Sequence, residues 1–228
     1  MTVMSLFESA ARNTKLGVKQ TQLKANNAVL DRRIQNRKKQ FGEEAYDAIN
    51  CLTSRQDFYA TNLSWIVTLR PPLITADREI RALNNKRANA EEHIKIGELR
   101  RESDKDMIRQ NPPTNFKERL GNFSKKSQWA GNQAKHKANR EVANIQIRAA
   151  KEQFGLEVFP LLGVLFTEYE HEAEFEREQM SWLPDDDPTH PNTIKKNLKG
   201  IYEVCATDIA TLQRQIVENK QQMDSLSS

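Results

Sequence analysis

The sequence predicts an all-α protein: an elongated antiparallel helical bundle or coiled coil built from two tandem-duplicated helical hairpins. Three observations predict it. Breakers are sparse, with eight glycines and eight prolines in 228 residues, and aromatics are only 7%. Ala, Glu, Lys, Gln and Arg, which favour helix, dominate instead. Apolar residues recur in steps of three and four, as one face of a helix requires. The chain also repeats itself: Gln20 to Ile49 lies without a gap on Gln133 to Leu162, 113 positions later, with eleven of thirty residues identical. The shared triplets Lys24-Ala25-Asn26/Lys137-Ala138-Asn139 and Gln40-Phe41-Gly42/Gln153-Phe154-Gly155 argue for duplication over similar composition. The halves are 1–110 and 115–228, with 111–114 as the linker.

Taken in order, residues 1–13 read as a short amphipathic lead-in carrying Leu6, Phe7 and Ala10 or Ala11. From about Thr14 a long helix follows, with Leu16, Leu23, Leu30, Ile34, Phe41, Ala45, Ala48 and Leu52 as its seam. Thirty-odd residues at 1.5 Å each span about 50 Å. Gly42 interrupts this seam, as Gly155 does its copy, and glycine inside a helix costs about 1 kcal/mol relative to alanine. Both are read as points where another helix approaches closely, with Phe41 and Phe154 packing beside them. A break is expected near Thr53-Ser54, or else continued helix to Leu69. Arg70-Pro71-Pro72 is expected to stop that helix, because proline lacks the amide donor. Thr75 then caps a second helix bearing Ile80, Leu83, Ala90, Ile94 and Leu99.

Asn111-Pro112-Pro113-Thr114 marks the boundary between the halves. The second long helix is expected from about Ser127 through the Gln-Phe-Gly element, kinked at Pro160. Residues 168–178 form an acidic helix end. Pro184, Pro188 and Pro191 make a loop, and Asn192 or Thr193 caps the last helix. Its heptad is Ile194, Leu198, Ile201, Cys205, then Asp208 or Ile209, Leu212, Ile216, Asn219, Met223 and Leu226, with Asn219 as a polar register-setting position. Residues 224–228 should fray.

Net charge is +4 and unevenly spread. Residues 1–42 carry +7, residues 115–155 carry +6 and residues 156–187 carry −9. Such a chain can pair with itself or meet an anionic partner. The cluster Arg32, Arg33, Arg37, Lys38 and Lys39 is the candidate for that anionic partner; the plainer reading is an outward solvated face, or a mate for the acidic arm at 168–178. Asp185-Asp186-Asp187 with His190 lacks the alternating ligands and glycine turn of a calcium loop, so a solvated loop is preferred to a metal site. His93, His136, His171 and His190 form no HxxxH or HExxH pair, and phosphate loops, nucleophile elbows and CxxC are missing from the sequence. Trp65, Trp129 and Trp182 are read as packing residues at helix crossings.

The function expected is therefore non-enzymatic, with no cofactor, no metal and no small-molecule substrate: a coiled-coil scaffold or adaptor binding other helical proteins or copies of itself. Its interaction seam would be Leu16, Leu23, Leu30, Ile34 and Phe41 with Ile194, Leu198, Ile201, Leu212 and Ile216. The alternative is a peripheral module for anionic membranes, since three long kinked helices with basic faces resemble a BAR domain in architecture. A third reading is a nucleic-acid-associated helical protein, against which the lack of aromatics interleaved with the basic residues argues. The two isolated thiols, Cys51 and Cys205, and the lack of a signal-like leader or a run of about 18 apolar residues point to an intracellular, cytoplasmic protein.

Overall fold

A computed structural model describes residues 3–54, 58, 63–168 and 191–227, with side chains from Lys15 onward except at 167, 168 and 227. The described residues are helical almost throughout: α1 (Val3–Ile49), a 3-10 turn (Asn50–Ser54), α2 (Ser64–Gln110), α3 (Phe116–Glu168) and α4 (Pro191–Ser227). Among them no helix is long and apolar enough to cross a membrane.

Several boundaries differ from the expectations. The lead-in and the first long helix are one helix, starting at Val3. Pro71 and Pro72 lie inside α2 and do not stop it. A proline within a helix costs about 3 kcal/mol or more, but here both neighbouring turns are anchored. Trp65, Ile66 and Leu69 before the prolines, and Leu73, Ala76 and Ile80 after them, are all buried. Pro71 leaves the carbonyl of Val67 without its amide partner, and Val67 is 43% exposed, so water can satisfy it. Thr75 is no cap: it sits within α2 and its hydroxyl donates back to the Pro71 carbonyl at 3.0 Å. Helix α3 starts eleven residues before the expected Ser127. Its start is a capping box. The Asn115 Oδ1 accepts from the Glu118 amide at 2.9 Å, and Glu118 Oε2 accepts from the Thr114 amide at 2.9 Å. These bonds hold the Glu118 carboxyl below the usual range, the Thr114 amide first among the causes. The last helix runs through Ser227, so residues 224–227 of the segment expected to fray are helical.

Two compact units emerge. The first holds residues 1–70 and 152–228, the second 71–151. In the first, α1 packs against α4, the last helix of the chain. Asn219 Nδ2 donates to Asn27 Oδ1 at 2.8 Å, and Arg37 Nε donates to Asp208 Oδ2 at 2.8 Å. As one helix ascends in number the other descends, so the pair is antiparallel. Leu23, Leu30, Ile34 and Phe41 on α1, and Ile194, Leu198, Cys205, Ile209 and Ile216 on α4, are buried. Burying side chains of this size removes about 1.5–3 kcal/mol each from exposure to water. Ile209, and not Asp208, holds the seam position.

The second unit is an antiparallel hairpin of α2 and α3. Trp129 Nε1 donates to the Gly97 carbonyl at 2.7 Å, and Gln133 Nε2 to the Ile94 carbonyl at 3.0 Å. His93 and His136 stack with ring centroids 4.7 Å apart. A Cβ at Gly97 would collide with the Gln133 side chain, so the glycine makes room for the glutamine to reach the backbone.

Candidate functional site

No group of three or more His, Cys, Asp or Glu among the described residues could hold a metal ion. Asp185, Asp186, Asp187 and His190, Trp182 and His171, and the acidic arm from residue 169 onward lie outside the described residues.

The expected seam residues are placed as follows. Leu23, Leu30, Ile34, Phe41, Ile194, Leu198 and Ile216 are buried, while Leu16, Ile201 and Leu212 are half-buried. They belong to α1 and α4, which pack on each other. The two stripes therefore cover one another where Leu23 to Phe41 meet Ile194 to Ile216, with Leu16, Ile201 and Leu212 partly open.

Gly42 and Gly155 meet. A Cβ added to Gly155 would run into the Cα and amide nitrogen of Gly42 and lie 2.9 Å from the Lys38 carbonyl oxygen. Absence of a side chain is what lets the two backbones approach. Around this crossing stands an aromatic cluster. Phe41 points edge-on at Phe159 (centroids 5.3 Å), and Tyr202 packs on both, at 6.4 Å from Phe41 and 5.1 Å from Phe159. Tyr46 meets Phe154 edge-on at 5.8 Å. Such pairs add about 0.5–1.5 kcal/mol each beyond their buried area.

The basic cluster divides. Arg32 and Arg33 are exposed. Arg37 is not on an outward arc: its side chain is 15% exposed and bound to Asp208, with Glu44 at 3.5 Å. Burial alone would push the guanidinium down, but the Asp208 bond and the nearby carboxylates outweigh it and raise it. Lys39 pairs with Glu152 at 3.2 Å, and Lys38 sits 5.5 Å from the Phe159 ring centroid. Three of the five cations thus serve the packing of the first unit.

The residues that sequence reasoning missed are on α3. Phe116, Leu120 and Phe123 are 80%, 59% and 71% exposed, and Val142 and Ile145 are 51% and 67% exposed. Joined through Ser127, Ala130, Ala134, Ala138 and Glu141, all exposed, they advance by three or four and make one outward face. The periodicity is legible in the sequence; placing the helix start near Ser127 hid its first third. Beside α3's first turns a cleft of about 1120 Å³ faces the end of α2, with Arg101, Met107, Pro112, Lys126, Trp129 and Ala130 among its walls.

No known protein-family model, curated protein or solved structure matches the chain.

Proposed function

We propose that the chain is a non-enzymatic helical scaffold or adaptor, built from duplicated halves 1–110 and 115–228, that binds another helix: a helical protein partner or a second copy of itself. Duplication is supported by burial as well as identity. Leu30/Ala143, Phe41/Phe154, Gly42/Gly155, Ala45/Val158 and Ile49/Leu162, each 113 apart, are buried in both copies, and Val29/Val142 is exposed in both. Equivalent glycines touching each other is what two copies related by an approximate two-fold would give.

The carrying observation is the outward face of α3 from Ser127 to Ile145. It ends in exposed Val142 and Ile145, holds Glu141 as its one charge, and a Cβ at Gly131 would meet nothing within 4 Å. Low charge and small residues suit a helix lying close along it. The seam residues Leu23, Leu30, Ile34, Phe41, Ile194, Leu198 and Ile216 are buried within the first unit, which favours this outward face over them.

Light scattering tests the self-associating form. Wild type should show a mass above one chain, and Val142→Lys with Ile145→Lys should return it to one chain without lowering the melting temperature. A wild-type mass of one chain at every concentration would sink self-association and leave the face to a different helix.

A further inference from the structure

The first turns of α3 differ from the face just described, both in side-chain size and in charge. We propose that they dock on an anionic lipid surface, with Phe116, Leu120 and Phe123 entering the interface and Lys117, Arg119 and Lys126 meeting the headgroup phosphates. Spacings of four and three put the three apolar residues on one line of the helix. At about 100° per residue, Lys117 falls on one flank of that line and Arg119 and Lys126 on the other. Large apolar side chains bordered by cations are the composition of a helix that lies in a membrane interface.

Three further observations favour lipid. The line is presented by a preformed helix, since the Asn115–Glu118 capping box fixes its start, so binding need not meet the cost of ordering. The surrounding hairpin end, residues 99–126, holds eight Lys/Arg against four Asp/Glu, a balance of +4. Lys117, Lys125 and Lys126 make no ion pair among the described residues. A second copy would bring the same positive end to this spot and be repelled. A nucleic acid would find phosphate partners here and two rings, Phe116 and Phe123, to stack on, but Leu120 between them would remain in water, whereas a lipid interface takes all three. This surface is separate from Val142 and Ile145, so it does not depend on the scaffold reading.

The test uses the full chain and sedimentation with vesicles of phosphatidylcholine alone or mixed with phosphatidylserine, across a salt series. Wild type should pellet with the mixed vesicles only, and less at high salt. Phe116→Gln, Leu120→Gln and Phe123→Gln together should weaken binding by about tenfold or more, since burial in the acyl boundary scales with apolar area. Lys117→Gln, Arg119→Gln and Lys126→Gln should each cost about fivefold. All six side chains are on the exposed helix surface, so helical content by circular dichroism should hold in each variant. Equal pelleting with phosphatidylcholine alone would overturn the headgroup assignment. An unchanged affinity in the apolar triple variant would overturn insertion. Displacement of the vesicles by RNA, with RNA affinity untouched by that variant, would make nucleic acid the partner. A drop in solution mass caused by the apolar variant would make a second copy the occupant.

Discussion

The crossing in the first unit and the hairpin of the second use one repeated sequence for different ends. At the crossing, Gly42 and Gly155 bring two backbones together, and Phe41, Phe159 and Tyr202 fill the space around them. In the hairpin, the residue matching Leu23 is His136, that matching Leu30 is Ala143 and that matching Arg37 is Ala150. Its contacts include a tryptophan and a glutamine bonded to helix carbonyls. The first interface is apolar and intolerant of volume; the second is narrower and partly polar. The difference teaches where the chain can spare surface. What the first unit leaves exposed are valines, among them Val18, Val29 and Val204, whereas the hairpin leaves the larger Phe116, Leu120, Phe123 and Ile145 outside.

The sharpest way to break that comparison is to add volume to one glycine in each unit. Gly155→Leu should cost on the order of 4 kcal/mol or more, because what it meets is backbone, which cannot rotate away. Gly131→Leu in the hairpin, where an added Cβ meets nothing within 4 Å, should cost nothing, leucine being the better helix former by about 1 kcal/mol. Thermal melts of the two variants decide it. Equal melting temperatures would mean that the crossing is looser than its geometry.

A smaller effect is expected in the hairpin. Trp129→Phe removes the bond to the Gly97 carbonyl but keeps an aromatic ring under Arg101, whose guanidinium lies 4.6 Å from the ring centroid. A loss of about 1 kcal/mol should follow, the usual net worth of one hydrogen bond, read by urea unfolding. A loss as large as that of Gly155→Leu would show that the hairpin is held as tightly as the crossing.

The helices and their apolar stripes are legible in the sequence, but the grouping of 1–70 with 152–228 and of 71–151 by itself is not, and the reasons are physical. An apolar stripe such as Leu23, Leu30, Ile34 and Phe41 announces that a helix has a partner, because burial needs one face. It does not say which helix, and α1 turns out to pack on α4 from the far end of the chain. Glycines at matching places in two copies signalled close approach, but only coordinates could pair Gly42 with Gly155 itself. Local rules failed where tertiary packing outweighed them. Pro71 and Pro72 are strong breakers, yet the buried residues on either side keep α2 continuous. Arg37 reads as surface charge in sequence, and is drawn inward by Asp208, 171 residues away.

The smallest prediction concerns chemistry and not stability, and it compares two thiols of the first unit. Cys205 is buried in the α1–α4 seam, where its Sγ donates to the Arg37 carbonyl at 3.8 Å; Cys51 is half-buried in the 3-10 turn. Burial pushes the Cys205 thiol up to about 11, against a smaller opposing pull from Arg37. Since the thiolate is the nucleophile, Cys205 should stay unmodified by iodoacetamide at pH 8 while Cys51 reacts, and unfolding in urea should make the two alike. The raised value also sets a sign. Stability contributed by keeping this thiol neutral is complete below the unfolded value near 9 and is lost as pH rises toward about 11. Rapid alkylation of Cys205 in the folded chain would mean that the seam between α1 and α4 opens, and with it the distinction between a closed first unit and an exposed second one would fall.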